Sequence, residues 1–407
     1  MSVPRTDSKA RIRLGMFLIG GGEWRGGLNY QRTLLQALSG PLADRFEARL
    51  FVSEDQLALA EEAFAGLLPH PPVVDPRAGG AGRGRRAIAA LFTGTDTAAA
   101  SLMAEHGIDI VFENARFLGG RFPVPAISWM PDFQHRALPH LFSRRGWWKR
   151  DIGFRAQTTG RRLVMLSSEA ARRDCERYYP ASRGRSAVVR FAPSIDAASV
   201  LVRKDEARAF HDLPEQFFYM PNQFWTHKNH RIVVEALDII RARGQLEILP
   251  PVVMSGPISD NRKCSIYEHL MARVRDQGLA MWFRHLGLIP MPDVLALNAA
   301  ARAVVNPSLF EGWASSVEEA KSLGSPMILS DIAVHREQAP DARFFAADDA
   351  EALADTLLDV AKSLPARIQD PATLAEQANR RQSAFVEAFA ATLYRAHALG
   401  PAMVASE

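Results

Sequence analysis

The sequence predicts an α/β protein of two doubly wound, Rossmann-like domains facing a central cleft. Three observations carry that expectation. The chain has 407 residues, more than one ordinary core accommodates, and 47% of them are apolar. Short apolar runs alternate with stretches of helical spacing, the signature of βα units and a parallel sheet. The alternation lapses over residues 194–214 and then restarts.

The elements follow in order. Residues 13–19 read as a buried strand and 20–27, Gly-Gly-Gly-Glu-Trp-Arg-Gly-Gly, as a loop. Residues 28–38 repeat apolar positions at helical spacing and stop at Ser39-Gly40. Strands are expected at 46–52, 108–113, 126–130 and 163–166, with a helix at 168–178. The Gly/Arg-rich stretch 79–86 reads as a mobile loop. The polar stretch 194–214 reads as the hinge, so the expected domains are 1–200 and 215–380. The second series has strands at 217–220, 252–255, 282–286 and 343–346, and helices at 231–241, 267–277 and 291–301. A last helix at about 382–397, within a tail of 381–407, is expected to pack back on the first domain.

Composition excludes several classes. Two cysteines, Cys175 and Cys264, form no disulfide framework; both read as buried fillers suited to a reducing compartment. The polar N-terminus lacks the apolar core of a signal peptide. The longest mildly apolar stretch, 87–104, contains Asp96 and falls short of a membrane span. A cytoplasmic protein, soluble or peripheral on the inner face of the membrane, is the expectation. The net charge is only +4, yet residues 136–162 hold eight Arg or Lys against one acid, Asp151. Trp147 and Trp148 sit among them, beside Lys149 and Arg150. Two readings stay open for that segment: a solvated helix face with both indoles in the core, or contact with an anionic membrane surface or phosphorylated lipid. Nucleic acid is not expected as a partner, since no recognised binding module surrounds the patch.

The chemistry concentrates in Asn306-Pro-Ser-Leu-Phe-Glu-Gly-Trp-Ala-Ser-Ser-Val-Glu-Glu-Ala-Lys-Ser-Leu-Gly-Ser-Pro326, which reads as strand, loop, helix, strand. Glu311 and Glu319 flank the loop–helix junction. Free N–H groups at a helix start attract phosphate, and carboxylates there accept hydrogen bonds from sugar hydroxyls. Lys228, in Pro221-Asn-Gln-Phe-Trp-Thr-His-Lys-Asn-His230, follows the first strand of the second series, where it can neutralise a diphosphate. Asn222 and Asn229 are placed to add hydrogen bonds or to cap that turn. His227 and His230 alone do not make a metal site. Gly26 and Gly27 lie at a strand–helix junction where backbone can approach a phosphate. The spacing fits neither a dinucleotide fingerprint nor a P-loop. Trp129-Met-Pro-Asp-Phe-Gln-His135 follows a strand, so Asp132 and His135 are expected to point towards the cleft. There is no Asp-x-Asp pair to hold a divalent metal, no nucleophile elbow and no zinc spacing, so no metal or other cofactor is expected.

Together these residues resemble retaining glycosyltransferases of family 4, with the two-domain GT-B fold. The resemblance covers nearly the whole chain and is strongest in the Glu-x7-Glu motif, Glu311 and Glu319, with Gly324-Ser-Pro326 after it. It implies that Glu311 contacts the donor hexose and Glu319 the nucleotide ribose. It further implies that amides of Gly312, Trp313, Ala314, Ser315 and Ser316 lie near the sugar and diphosphate. Lys228 matches the family's phosphate-binding lysine, Gly26 and Gly27 its N-terminal Gly-Gly, and His135 its histidine on the transferring sugar. Leu286-Gly-Leu-Ile289 resembles the loop beside the nucleobase.

The chain also departs from the family. Asn222 stands where many members carry an arginine, so the diphosphate leans on Lys228 and helix dipoles or on Arg25. Trp313 and Ser315 occupy a loop that differs from many relatives and bears on which sugar fits. The implied activity is transfer of a hexose from a nucleotide diphosphate sugar to a glycan or lipid-linked acceptor, in surface polysaccharide biosynthesis. The competing readings are a sugar-nucleotide epimerase, a phosphorylase, and a non-catalytic glycan- or lipid-binding protein on the same fold. A nicotinamide dehydrogenase is disfavoured by the missing fingerprint.

Overall fold

The computed structural model describes residues 11–19, 25–80, 82–114, 116–258, 266–363 and 367–400. The chain forms two compact units, Met1–Phe191 with Ser383–Glu407, and Ala192–Gln382. Each contains a parallel sheet with helices, as the alternation of runs predicts.

The first unit holds seven strands: β1 (Ile12–Phe17), β2 (Phe46–Val52), β3 (Val73–Val74), β4 (Ile110–Asn114), β5 (Ala126–Trp129), β6 (Arg162–Leu166) and β7 (Ser186–Val188). Their order is β3-β2-β1-β4-β5-β6-β7, every neighbouring pair parallel. Strands covered on both faces read as continuous apolar runs rather than alternating ones. Thus Leu14 of β1 lies between Ala48 of β2 and Ile110 of β4, all buried. One ion pair interrupts this core. Arg162, 2% exposed, donates from Nε to Glu113 Oε2 at 2.7 Å and from Nη2 to Oε1 at 3.0 Å. Glu113 also accepts from Leu118 N at 2.8 Å and Ser128 Oγ at 2.5 Å, so the buried charges are both paired and hydrogen-bonded.

The second unit holds β8 (Phe218–Met220), β9 (Val252–Met254), β10 (Phe283–His285), β11 (Ala303–Asn306), β12 (Met327–Ser330) and β13 (Arg343–Phe345), ordered β10-β9-β8-β11-β12-β13 and parallel throughout. The strand order reverses between β8 and β11, the two central strands. At such a switch point the following loops splay apart and leave a crevice beyond the strand ends. Phe218, Val252, Ile232, Leu237 and Leu357 share the core on one side of this sheet. Phe217, Tyr219, Val253 and Leu297 form a second cluster.

Three segments differ from the sequence expectation. The stretch 79–86 is not all loop: Gly82 caps the helix Arg83–Thr93, which takes in its arginines. Gly94, with φ 85, ends that helix, and Asp96 caps the next, Thr97–Glu105, by accepting from Ala99 N. The stretch 194–214, read as a hinge for its polarity, carries the helix Ala197–Phe210 and lies in the second unit. Asp196 caps it through the N–H groups of Ala198 and Ser199, and Ala197 and Ala207 anchor its buried side. Its helical pattern is hard to read because Val202 and Phe210, both apolar, are 84% and 80% exposed. The last helix is longer than expected, Pro371–His397. Asp370 starts it by accepting from Thr373 N and Oγ1, with Pro371 at the first helical position. Its C-terminal part belongs to the first unit, where Tyr394 packs on Phe46 at 4.9 Å. Among the described residues no single helix is long and apolar enough to cross a membrane.

Candidate functional site

The loops after β8 and β11 meet at the switch point of the second sheet. Asn229 makes the junction. It adopts a left-handed conformation, φ 55, which Asn tolerates better than most residues. That turn ends the short helical segment Thr226–Lys228 and begins the helix His230–Ala242. Asn229 Nδ2 donates to Pro307 O at 3.2 Å and Ala347 O at 2.9 Å, and Leu309 N donates to His227 O at 2.8 Å. The two loops are therefore held together by backbone and amide bonds, independent of any ligand.

This stitching brings Lys228 onto Glu311, with Nζ 2.6 Å from Oε1. Ser308 Oγ lies 2.7 Å from the same oxygen and 2.6 Å from Asn306 Oδ1, two acceptors competing for one proton. Burial works to raise the Glu311 carboxyl, but the Lys228 ammonium, with His227 behind it, outweighs that and holds it at about 2. Glu311 is ionised at neutral pH, and Lys228 is its counter-charge.

Glu319 stands in the opposite situation. It lies on the helix Ser315–Ser322, is 8% exposed, and its carboxyl has no hydrogen-bond or ion-pair partner among the described residues. Burial pushes it up to about 7. Its neighbour Glu318 is satisfied by Lys321 Nζ at 3.1 Å and Gln338 Nε2 at 3.2 Å. Two adjacent glutamates are thus divided between a structural network and an open acceptor. Nothing in the packing requires a lone carboxyl at Glu319, and such a group is a functional-site candidate on physical grounds.

The loop between the two glutamates is partly committed. Ala314 N donates to Gln338 Oε1 at 2.9 Å, and Gln338 Nε2 returns a bond to Ala314 O at 3.1 Å. The Ala314 amide, expected near the sugar and diphosphate, is therefore occupied within the protein. The amides of Ser315 and Ser316 open the helix, where no intrahelical acceptor exists for them. Ser316 is buried and its Oγ accepts from Asn306 Nδ2 at 3.2 Å, tying the helix start to the end of β11. Ser315 is exposed, Trp313 half-buried and Gly312 buried.

Asn222 follows β8, is 5% exposed, and leaves Nδ2 without a partner. Behind it Gly256, φ 143, sits so close that a Cβ there would come within 2.8 Å of Asn222 O. His230 stacks on Phe224 at 4.0 Å and burial pushes it down to about 3, so it is a neutral core ring. Ile289 is half-buried and packs against the cluster that contains Phe217, Tyr219 and Leu297. Among the described residues no group of three or more His, Cys, Asp or Glu is arranged to hold a metal ion. Three site residues escaped sequence reasoning: Asn306, Ser308 and His335. His335 is 0% exposed, with Nδ1 on Ser330 O at 3.0 Å and Nε2 unpartnered. Only its place after the β12 turn marks it in sequence.

The first unit gives a different picture. Gly26 and Gly27 lie in the first turn of the helix Arg25–Ser39, not in a loop, with Gly27 buried. Gln31 fixes that helix to the end of β1, donating to Phe17 O at 3.0 Å and accepting from Ile19 N at 2.8 Å. Residues 20–24, the Arg25 side chain and Cys264 lie outside the described residues. Cys175 is buried beside Ser182, and burial pushes its thiol up to about 11, as suits a core filler.

His135 does not stand open as expected. Its ring is 0% exposed, boxed by Phe142, Trp147 and Phe154. Its Nε2 is 2.9 Å from Tyr179 Oη, which donates to Asp151 Oδ1 at 2.7 Å. Since the tyrosine proton goes to Asp151, His135 donates from Nε2 and presents a bare Nδ1, which has no partner. Burial, with Arg150 adding to it, pushes the ring down to about 4, so it is neutral. Asp151 is also held by Arg136 and Arg155. Trp147 donates from Nε1 to His135 O at 2.6 Å, with Arg136 over its ring at 4.6 Å. Arg150 is bound to Asp132 at 2.7 Å. Trp147, Arg150 and Asp132 therefore belong to one packed network. Lys149 is exposed, and Trp148 is 57% exposed. The two indoles of the segment differ: Trp147 is tied to the His135 carbonyl and Trp148 faces solvent.

Comparison with known proteins points the same way as the second unit. Residues 216–363 match the family model for glycosyl transferases, group 1. Over 132 residues the chain is 30% identical to O-antigen chain mannosyltransferase B of Escherichia coli, a match covering 32% of this chain and 33% of that protein. The match spans about a third of the length of that curated relative. The Anabaena protein HepE, solved in complex with UDP and glucose, superposes with a TM-score of 0.64 at 15% identity over 94% of this chain and 100% of that one. A glycosyltransferase from Rickettsia africae gives 0.65 at 12% identity, over 95% and 99%. WaaG, a glycosyltransferase involved in lipopolysaccharide biosynthesis, gives 0.59 at 15%, over 95% and 99%. At those identities the superpositions establish the fold alone. The second unit therefore carries a group 1 glycosyltransferase domain at residues 216–363, within a chain of GT-B fold.

Proposed function

We propose that the chain is a retaining, family 4-type glycosyltransferase. It moves a hexose from a nucleotide diphosphate sugar to a glycan or lipid-linked acceptor of surface polysaccharide, at the inner face of the membrane and without a metal ion. The observation that carries this reading is the Lys228–Glu311 pair at the switch point between β8 and β11. The similarity to an O-antigen mannosyltransferase supports the acceptor class.

The chemistry follows from charge. Lys228 offers the leaving diphosphate a cation, and the first turn of Ser315–Ser322 offers unpaired N–H groups. A diphosphate competes with Glu311 for the ammonium, and Glu311, ionised throughout, turns to accept from sugar hydroxyls. Glu319 accepts from ribose hydroxyls, which satisfies its otherwise unpartnered carboxyl. As the bond from the anomeric carbon to phosphate breaks, the acceptor oxygen bonds to that carbon on the same face. Its proton passes to the departing phosphate oxygen. The products are a glycoside of retained configuration and a nucleoside diphosphate. His135, enclosed and neutral, has no part in this scheme beyond holding its loop.

The test is incubation with UDP-, GDP- and ADP-hexoses plus a lipid-linked glycan acceptor, followed by NMR of the product anomer. Release of nucleoside diphosphate with a retained anomer is expected. An inverted anomer overturns the retaining assignment. Conversion of the sugar nucleotide to its epimer without an acceptor replaces the transferase reading with an epimerase.

A further inference from the structure

The first unit carries an apolar surface that the sugar chemistry does not use. The helix Arg83–Thr93 exposes Ile88 at 59%, Leu91 at 49% and Phe92 at 87%. These positions are three and four apart, so they share one face. The helix Arg144–Gln157 exposes Trp148 at 57% and Ile152 at 49%, again four apart. The two helices border one groove of about 440 Å³, lined by Leu91, Phe92, Phe117, Ile152 and Arg155 among others. Single exposed apolar residues need no explanation, but a contiguous set with protruding aromatics marks an interaction surface.

The charges around it select the partner. Arg85, Arg121, Arg144, Arg145 and Lys149 are exposed beside these apolar side chains. The helix Arg83–Thr93 contains no acid. Asp151, the one acid of Arg144–Gln157, is 0% exposed and bound to Arg136 and Arg155. Neither helix therefore presents a negative charge to solvent. Self-association through this face would set cations against cations. Protruding Phe and Trp beside flexible cations instead match the boundary between acyl chains and anionic headgroups.

We propose that this face, with Phe92 and Trp148 as its inserting side chains, docks the protein on an anionic lipid bilayer. The proposal deepens the placement at the inner membrane face and rests on that part of the functional reading only. Its test does not involve sugar transfer, so either can fail without the other.

The experiment is co-sedimentation of the full chain with phosphatidylcholine vesicles and with vesicles containing added phosphatidylglycerol. Binding is expected only with the anionic lipid, and it should weaken with salt. Phe92→Asp and Trp148→Ser should each lower the partition constant about tenfold or more. Val202→Asp, which removes an equally exposed apolar side chain from the second unit, should leave it unchanged. Melting temperatures of the three variants, compared with the parent, confirm folding. Parent-like binding by Phe92→Asp and Trp148→Ser overturns the proposal, as does equal binding to both vesicles or binding to neither. A dimer in solution that Phe92→Asp converts to monomer overturns it in favour of self-association.

Discussion

Lys228 and Glu311 form a 2.6 Å ion pair that joins the loops after β8 and β11, the strands between which the second sheet reverses its order. Their side chains are 15% and 9% exposed, so the attraction is little screened. The pair holds the Lys228 ammonium in place at the strand ends, and it keeps the Glu311 carboxyl ionised.

Removing one partner is therefore worse than removing both. Lys228→Ala leaves a nearly enclosed carboxylate without its counter-charge and is expected to cost about 2–3 kcal/mol in urea unfolding. The double variant Lys228→Ala/Glu311→Ala is expected to recover at least half of that loss. The pH dependence has a definite sign. The folded-state value of Glu311, about 2, lies below the ordinary 4.5. Its contribution is complete above pH 4.5 and is lost as pH falls towards 2. Glu311→Gln should flatten stability over that window. Additive losses in the double variant would show that the pair is not coupled.

Glu319 has the opposite sign. Its folded-state value, about 7, lies above the ordinary 4.5. The stability it contributes is complete below pH 4.5 and is lost as pH rises to 7. Glu319→Gln is expected to match the parent near pH 4 and, without nucleotide, to exceed it at pH 8 by on the order of 2 kcal/mol. A ribose hydroxyl donating to the carboxylate favours its ionised form. Parent affinity for the nucleoside diphosphate should therefore rise from pH 6 to pH 8, and Glu319→Ala should lose about tenfold at pH 8. Calorimetric titration at the two pH values measures both. A pH-independent affinity in the parent would remove the ribose role.

The positions most legible in sequence are those in loops that follow a strand. Lys228 and Glu311 each lie in the loop after a short apolar run, and the folded sheet brings those two loops together. Asn306, Ser308 and His335 were not legible, because their roles are hydrogen bonds among loops that only the folded sheet brings together. His135 was misleading for a related reason. It too follows a strand, but the enclosure by Phe142, Trp147 and Phe154 comes from later segments whose packing leaves no local pattern. The helix Arg83–Thr93 was hidden because its Gly84 and arginines continue a Gly/Arg-rich stretch that reads as a loop, while Ile88, Leu91 and Phe92 face outward.

Gly324 is expected to be the least replaceable glycine of the second unit. It ends the helix that bears Glu319, with φ 63, a conformation in which a Cβ is strained. A Cβ there would also collide with the backbone carbonyl of Ile368. Gly324→Ala should cost about 3 kcal/mol or more, since strain and overlap add. Gly278, with φ 69 and open space around it, provides the comparison. Gly278→Ala should cost only about 1 kcal/mol, the strain alone. Equal melting temperatures for the two variants would show that the segment around Ile368 yields to the added methyl group.

Tyr179→Phe separates the structural reading of His135 from a catalytic one. The Tyr179 hydroxyl accepts from His135 Nε2 and donates to Asp151, so its removal leaves a buried imidazole N–H unpaired and Asp151 with only its two arginines. A loss of about 1–3 kcal/mol in stability is expected. His135 itself, held near 4 where the ordinary value is 6.5, contributes stability above pH 6.5 that is lost as pH falls towards 4. His135→Phe should remove that dependence while keeping an aromatic ring in the box. If His135 only organises the packing around Trp147, both variants will show a lower melting temperature at pH 7 and transfer rates per folded molecule within about threefold of the parent, a difference worth less than 1 kcal/mol. A kcat reduced by two orders of magnitude in His135→Phe, with Tyr179→Phe near the parent, would restore the histidine to the reaction itself. That outcome would require the ring to leave its enclosure when substrate binds.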